Sequence, residues 1–537
     1  MAVDIPGVIG VVVFYIVILV IGIIAGRKKS SDSNTQFLAN RGLGLIVASF
    51  TLSATMVGGA YINGTAEAVG RDGFIWIVAS VSYNIGILIA GVFIAPKVRR
   101  IGYTTIFDPL QNRYGKKMGA LLFFNELFAN LFWEAAILGA LGTSLALILD
   151  LNLDLSVIIS ACVAVAYTFF GGLYSVAYTD VIQLILITVG LVLSIPFIYT
   201  NKAVDLSRVK DTWTGSLPPS MIGLYIDIIF LCIGGGMPWQ AYYQRVLACK
   251  SPSVARNASL LGTLMSVLLL IPPSFVGIAG AAADWNMTAY DGNVTLSAEE
   301  WASVVPMSLH FLCPRVVSVI GLGAVSAAVM SSADSIVLAT GSVFARNIYQ
   351  TLFRPKATER EIVWVLRVSI LVVGAAGTVI ALTVRSVYAL YVLCGDLMFV
   401  AHFPQVICAL WLKCGNTYGS LAGFIMGLSM RILGGEPALK IHAVIKFPFY
   451  DEETETQLFP FRTVAMLCSF AGIICVSFIT DYAFRKNIIN RKFDVFNCYP
   501  VLKENTELNK DFLKLNSERN VQDDQNEKSK FLDDYKG

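Results

Sequence analysis

Between residues 321 and 335 the chain reads Gly321-Leu-Gly-Ala-Val-Ser326-Ala-Ala328-Val-Met-Ser331-Ser332-Ala-Asp334-Ser335. Ala328, Ser331, Ser332 and Ser335 recur at i, i+3, i+4 and i+7, so on a helix their oxygens form one stripe along a single face. Hydroxyl and carbonyl oxygens are the ligands that a small hard cation such as Na⁺ takes, and they hold it without adding a fixed buried charge. A packing face of small residues has the same spacing. Asp334 favours the ion reading, because an acid at membrane depth costs a few kcal/mol and marks a functional site by default.

A second constellation is aromatic: Tyr61, Trp76, Tyr83, Trp133, Trp239, Tyr242 and Tyr243. Most such residues would sit in an interfacial belt. Trp239 differs, because it directly follows the helix-breaking run Gly234-Gly-Gly-Met-Pro238. A ring face at such a break suits a positive, poorly hydrated head such as a quaternary ammonium. Of the other acids, Glu67, Glu126, Glu134, Asp180, Asp227 and Asp396, those near span ends such as Asp180 and Glu67 can reach the interface instead. His310, His402 and His442 are far apart in sequence, and no nucleophilic triad, phosphate loop or metal-hydrolase pattern is present. The sequence gives no support for an enzyme.

The elements that position these residues follow from composition. Of 537 residues, 56% are hydrophobic and 14% charged, with a mean hydropathy of +0.67; a soluble domain is about 25% charged. Residues 485–537 hold 21 of the 77 charged side chains, so the first 484 form a membrane domain and the remainder a polar tail read as disordered and cytoplasmic. A soluble enzyme and a secreted disulfide scaffold are excluded. The net charge of +3 argues for no nucleic-acid partner, and the ten cysteines, scattered without a CxxC pair, read as core residues.

Hydropathy marks thirteen spans, near 6–26, 43–66, 73–96, 118–148, 155–173, 178–200, 221–245, 256–280, 306–340, 363–384, 388–412, 416–433 and 462–484. With thirteen, the basic clusters fall on one side: Arg27-Lys28-Lys29, Lys97 with Arg99-Arg100, Arg113 with Lys116-Lys117, Arg245 with Lys250, 346–360 and 485–492. That side is the cytoplasm, with the N-terminus outside and the C-terminus inside. The glycosylation sequons at Asn286 and Asn293 then lie outside, whereas those at Asn63 and Asn257 are expected to stay unmodified.

Two spans are interrupted, one at Val57-Gly-Gly-Ala-Tyr61 and one at Ile233-Gly-Gly-Gly-Met-Pro-Trp239. Broken backbone cannot face lipid, so both breaks must be buried or line a cavity. They lie five spans apart, the spacing of two inverted five-span repeats at about 43–200 and 221–412, each led by a broken helix.

The stretch Gly171-Gly-Leu-Tyr-Ser-Val-Ala-Tyr-Thr-Asp180-Val-Ile-Gln183 resembles the signature of the sodium/solute symporters, as does 321–335. Within that family the chain is most similar to the choline transporters, along 58–68, 238–245, 321–335, 344–349 and 431–437, and the likeness runs from about residue 6 to 496. The resemblance implies an all-α, LeuT-like core of five-plus-five inverted repeats with peripheral helices. It also implies plasma-membrane uptake of choline with Na⁺ in a Cl⁻-dependent manner, supplying acetylcholine synthesis in cholinergic, presynaptic membranes. By position it assigns a sodium site to the carbonyls of Ala54, Val57 and Ala328 and the hydroxyls of Ser331 and Ser332, and a second sodium position to Thr55, Asp180, Asp334 and Ser335. Three members of the family's aromatic choline cage stand here as Tyr83, Trp133 and Trp239, and a fourth, a Trp, is replaced by Met56. Losing one indole face forfeits on the order of 1–2 kcal/mol, about ten-fold in affinity. The alternatives are Na⁺-coupled transport of another organic cation or solute, and a non-transporting ligand sensor with the same fold.

Overall fold

A backbone crossing lipid must pair its own N–H and C=O groups, which leaves helices. The computed structural model describes residues 16–18, 20–22, 24, 33–149, 151–292, 296–384, 387–436 and 439–499. Nine helical stretches among them are long and apolar enough to cross a membrane, and the bent pair Leu45–Met56 and Gly59–Asp72 makes a tenth. The sequence reading expects thirteen. Two of the remaining three exist as helices that are short for a span, Leu153–Ala166 and the 17-residue Thr417–Leu433. The third, 6–26, lies mostly outside the described residues.

The first half of the core consists of α1 (Leu45–Met56), α2 (Gly59–Asp72), α3 (Val78–Ile89), α4 (Lys116–Leu149) and α5 (Leu153–Tyr199). In the 47-residue α5, Gly172 at φ 64° divides two spans; a side chain there would strike the amide of Gln36. The second half runs through α6 (Ile222–Gly236), α7 (Gln240–Ala248), α8 (Pro252–Leu268), α9 (Ile271–Ala282), α10 (Arg315–Val343), α11 (Glu359–Thr383), α12 (Val387–Leu397) and α13 (Phe403–Trp411). Proline falls where helices restart, as Pro272 and Pro273 do in the first turn of α9 and Pro404 in that of α13. Beyond the core lie α14 (Thr417–Leu433) and α15 (Phe461–Arg485), joined by a loop with a two-residue hairpin pairing Tyr450 with Gln457.

Packing follows an exchange of partners between the halves. The leading helix α1 packs on α8, and its counterpart α6 packs on α3. The third span of each half does the same: α4 packs on α11 and α12, and α10 on α5. An odd number of spans per half reverses the second half across the membrane, as inverted repeats require. The buried core runs through Trp133, Leu141, Trp239, Ala328 and Val329, while Phe93, Val189, Val372 and Leu467 stand exposed on the outer faces, where lipid would cover them. The chain divides at Phe478 into two units. Within the second, Arg485 pairs with Asp481 at 2.8 Å and Phe484 stacks on Tyr499. The tail expected to be disordered lies beyond the described residues from 500 onward.

The α3–α6 contact depends on Gly86, where a Cβ would fall on the carbonyl of Ile233. Gly86→Val is therefore expected to lower stability by about 1–3 kcal/mol, the usual effect of overpacking. Gly323→Ala, where a Cβ meets nothing within 4 Å, is expected to be neutral or stabilising. Thermal unfolding of the purified protein compares the two, and equal melting temperatures would refute the packing argument.

Candidate functional site

The first break is made by two residues. Val57 (φ −88°, ψ 71°) and Gly58 (φ −92°, ψ −179°) leave helical geometry, and the chain resumes as α2 at a bend of 53°. Gly58 lies so close to α10 that a Cβ would collide with the Ser332 hydroxyl, and Gly59 abuts Val329 in the same way. Ser332 Oγ stands 3.5 Å from the Thr55 carbonyl, and Thr55 Oγ1 3.2 Å from Ser335 Oγ. Ala54 and Val57 occupy the last turn and the break, Ala328 lies one turn before Ser331, and all are buried. Thr55, Ser332 and Ser335 thus meet at a junction between α1 and α10, and Ala54, Val57, Ala328 and Ser331 are buried on the same two helices beside it. Its oxygen-only chemistry fits a hard monovalent ion.

The second sodium set is divided. Asp180, on the latter half of α5, accepts hydrogen bonds from Ser331 and Thr51, and its Oδ2 lies 3.6 Å from Arg245 Nη2. Arg245 in turn donates to Ser335 Oγ, to Thr51 Oγ1 at 3.2 Å and to the Ala241 carbonyl at 3.0 Å. Asp334 points elsewhere, accepting from Thr168 Oγ1 at 2.7 Å, and its other oxygen has no partner among the described residues. Asp180 and Ser335 therefore lie against a guanidinium, with Thr55 beside Ser335, and Asp334 does not join them. This corrects two expectations: Asp180 and Arg245 are both 0% exposed, so the acid does not reach an interface and the base is not a loop charge. Arg245 and Thr51 were missed. An acid and a base in separate spans, each without a partner in its own helix, were the signal that could have paired them.

The aromatic site forms at the second break, where Trp239 caps α7 in extended conformation (φ −74°, ψ 126°). Its ring lies 5.1 Å from that of Trp133, inclined at 60°, and Trp133 lies 5.4 Å from Tyr391. The indole Nε1 donates to Asn130 Oδ1 at 2.8 Å, and Asn130 Nδ2 donates to Thr340 Oγ1 of α10 at 2.8 Å. One turn earlier on α4, Glu126 accepts from the Gln240 N–H at 3.3 Å. Tyr83 packs beside Gly236, where a Cβ would meet its ring at 2.8 Å, and pairs edge-on with Tyr61 at 6.5 Å. Met56, 2% exposed, directs its sulfur at Ser266 Oγ, 3.7 Å away. Tyr61 donates to the Ser266 carbonyl and accepts from Asn84. The four expected cage residues thus cluster about the two breaks, and Tyr391 and Asn130 join them.

A cavity of about 530 Å³ lies next to this group, lined by Tyr61, Glu67, Arg71, Trp76 and Tyr391 among others. Tyr61 and Tyr391 belong to both, so the cavity reaches the buried rings. Of the two sequons expected to lie outside, Asn286 is exposed and Asn293 falls beyond the described residues; Asn63 is buried in α2, and Asn257 is exposed on α8.

A model of the "Sodium:solute symporter family" matches residues 36–427. The "High-affinity choline transporter 1" of Drosophila melanogaster is 47% identical, the match covering 94% of this chain and 83% of the relative. The "High affinity choline transporter 1" of Homo sapiens is 43% identical over 98% and 93%. Among solved structures, a Na⁺-coupled sialic acid symporter in a substrate-bound outward-open state superposes with a TM-score of 0.72 at 15% identity, covering 88% of this chain and 97% of that one. It shares the fold. With a family match spanning most of its membrane domain, interrupted helices at both expected positions and an oxygen-lined junction between α1 and α10, the chain belongs to the sodium:solute symporter family.

Proposed function

We propose that this chain carries choline across the plasma membrane with Na⁺. The observation that carries the reading is the packed indole pair Trp133–Trp239 at the second helix break, held by Asn130 and near a cavity lined in part by Tyr61, Trp76 and Tyr391. Indole faces in a buried site attract a quaternary ammonium, whose charge is diffuse and weakly hydrated. The names of the relatives at 43–47% identity support the same substrate.

Each positive charge moved inward gains about 2.3 kcal/mol per 100 mV, so choline and Na⁺ both run down the membrane potential. In the proposed cycle Na⁺ binds at the α1–α10 junction through Ala54, Val57, Ala328, Ser331 and Ser332 and braces the first break. Choline settles among Trp239, Trp133, Tyr83 and Met56, and the halves rock to open the site on the opposite face. Chloride dependence belongs to the same proposal, resting on the family resemblance, as does a role in supplying acetylcholine synthesis. The orientation places the cavity mouth and the exposed Asn286 outside, the basic residues at 97–117 and 346–360 inside, and the C-terminus in the cytoplasm. Met56 favours a second reading, a wider pocket selecting a different organic cation.

Uptake of labelled choline by cells expressing the chain, with Na⁺ replaced by N-methylglucamine as control, tests the proposal. Expected is Na⁺-dependent uptake, abolished by Trp239→Ala and tightened about ten-fold in KM by Met56→Trp. No uptake by the wild-type chain or by Met56→Trp overturns the choline reading, and competition by a panel of amines then identifies the cation. The orientation makes its own prediction: Asn286→Gln alone or with Asn293→Gln removes a glycosidase-sensitive increment in mass, whereas Asn257→Gln does not. An increment lost with Asn257→Gln would invert the topology.

A further inference from the structure

The assignment of Asp180 to a second sodium position meets an obstacle already in place. The guanidinium of Arg245 fills the space among Asp180, Thr51 and Ser335, with neither charged side chain exposed. Its N–H groups take up the outward lone pairs of Thr51 Oγ1 and Ser335 Oγ, and a further one is spent on the Ala241 carbonyl. These are the oxygens a small cation would need. A carboxylate in a low-dielectric interior can be neutralised by one monovalent partner; adding a second within a few ångströms sets two like charges against each other where screening is weakest. Guanidinium and Na⁺ are therefore alternatives at this carboxylate.

We infer that Arg245 is a tethered cation occupying the second ion position, and that Na⁺ reaches Asp180 only by displacing it. The inference rests on the sodium-coupled reading of the family but not on choline as substrate. The first ion position is linked to this contest, because Ser331 donates to the same Asp180. The two positions are unequal: the second is contested by a side chain of the protein. The contest has a mechanical consequence. Arg245 stands on α7 six residues beyond Trp239, so an ion that expels the guanidinium removes its links to α1, α5 and α10 and leaves α7 held to α10 by the bond from Gln244 to Ser342.

The test uses the purified full-length chain in lipid nanodiscs, reading binding of radiolabelled Na⁺ and thermal unfolding against NaCl, with N-methylglucamine chloride holding ionic strength. Arg245→Gln removes the competitor and is expected to lower half-saturating Na⁺ by about five-fold or more, within the range of ordinary site coupling. Arg245→Lys, which keeps a tethered charge, is expected to stay near the wild-type value. On an Asp180→Asn background, Arg245→Gln is expected to have no effect. If Arg245→Gln is unfolded without Na⁺, rescue by NaCl but not by N-methylglucamine chloride supports the inference, because the ion then replaces the guanidinium. Half-saturation unchanged or raised in Arg245→Gln, the same gain on the Asp180→Asn background, or unfolding that Na⁺ does not rescue would each overturn it. Choline uptake enters none of these readouts, so a wrong substrate leaves the result interpretable.

Discussion

An interrupted helix inside a bilayer must have its freed backbone groups met by something other than water, and the arrangement of this protein follows from that constraint. Both interruptions are clasped by the third span of the opposite half. At the first, α10 brings Ser332 against Gly58 and to within 3.5 Å of the Thr55 carbonyl. At the second, α4 brings Glu126 to the Gln240 N–H and Asn130 to the Trp239 indole. The carboxylate of Glu126 sits where a helix N-terminus favours negative charge, whereas the opposite clasp is built of hydroxyls and carbonyls, which favour a cation. On the proposed reading the two breaks related by the repeat take different cations, a small hard ion at the hydroxyls and carbonyls of the first and an organic head at the paired indoles of the second.

How much of this was legible in the sequence depended on range. The breaks were readable because Gly-Gly and Gly-Met-Pro are local signals, and the stripe 328, 331, 332, 335 because helical spacing is local too. The clasp itself was not. Asn130 gives no sign in the sequence that it holds Trp239, 109 residues away, and Tyr391 gives none that it packs against Trp133. Arg245 was misread for a specific reason: counting basic residues assigns any arginine near the end of an apolar run to a loop, but α7 continues to Ala248 and keeps Arg245 inside the protein. The span count was legible for the ten spans found among the described residues; the stretch expected at 155–173 is the part of α5 before the kink at Gly172, and the one at 6–26 lies mostly outside the described residues.

The polar groups of the interior are joined more tightly than a set of separate sites would be. Trp239 is tied to Asn130, Asn130 to Thr340 on α10, Ser335 of α10 to Arg245, and Arg245 through α7 back to Trp239. The path closes on itself through three helices. Three connections therefore fix α7 relative to α10: the path through Asn130 and Thr340, the direct bond from Gln244 Nε2 to Ser342 Oγ at 3.1 Å, and the bond from Arg245 to Ser335. Buried hydrogen bonds of this kind contribute modestly when made and cost more when one partner is left unpaired, so opening any of them leaves a buried group in need of another partner.

That asymmetry offers a physical route from ion to substrate. Coupling requires each ligand to interact differently with the conformations it selects, and a pathway is more than spatial proximity only if it contains an element with two discrete arrangements. The α7 segment is the candidate for such an element. It follows a glycine-rich break, it carries Trp239 at one end, and the charge at its other end is neutralised by Asp180, whose second oxygen is bonded to Ser331 of the sodium stripe. On the proposed reading, an ion seated by Ser331 would polarise the same hydroxyl that holds Asp180, and so alter the grip on Arg245 without touching α7. On that reading the substrate acts on the other end of the same nine-residue helix through the indole, and ion and organic cation work one short lever from opposite ends.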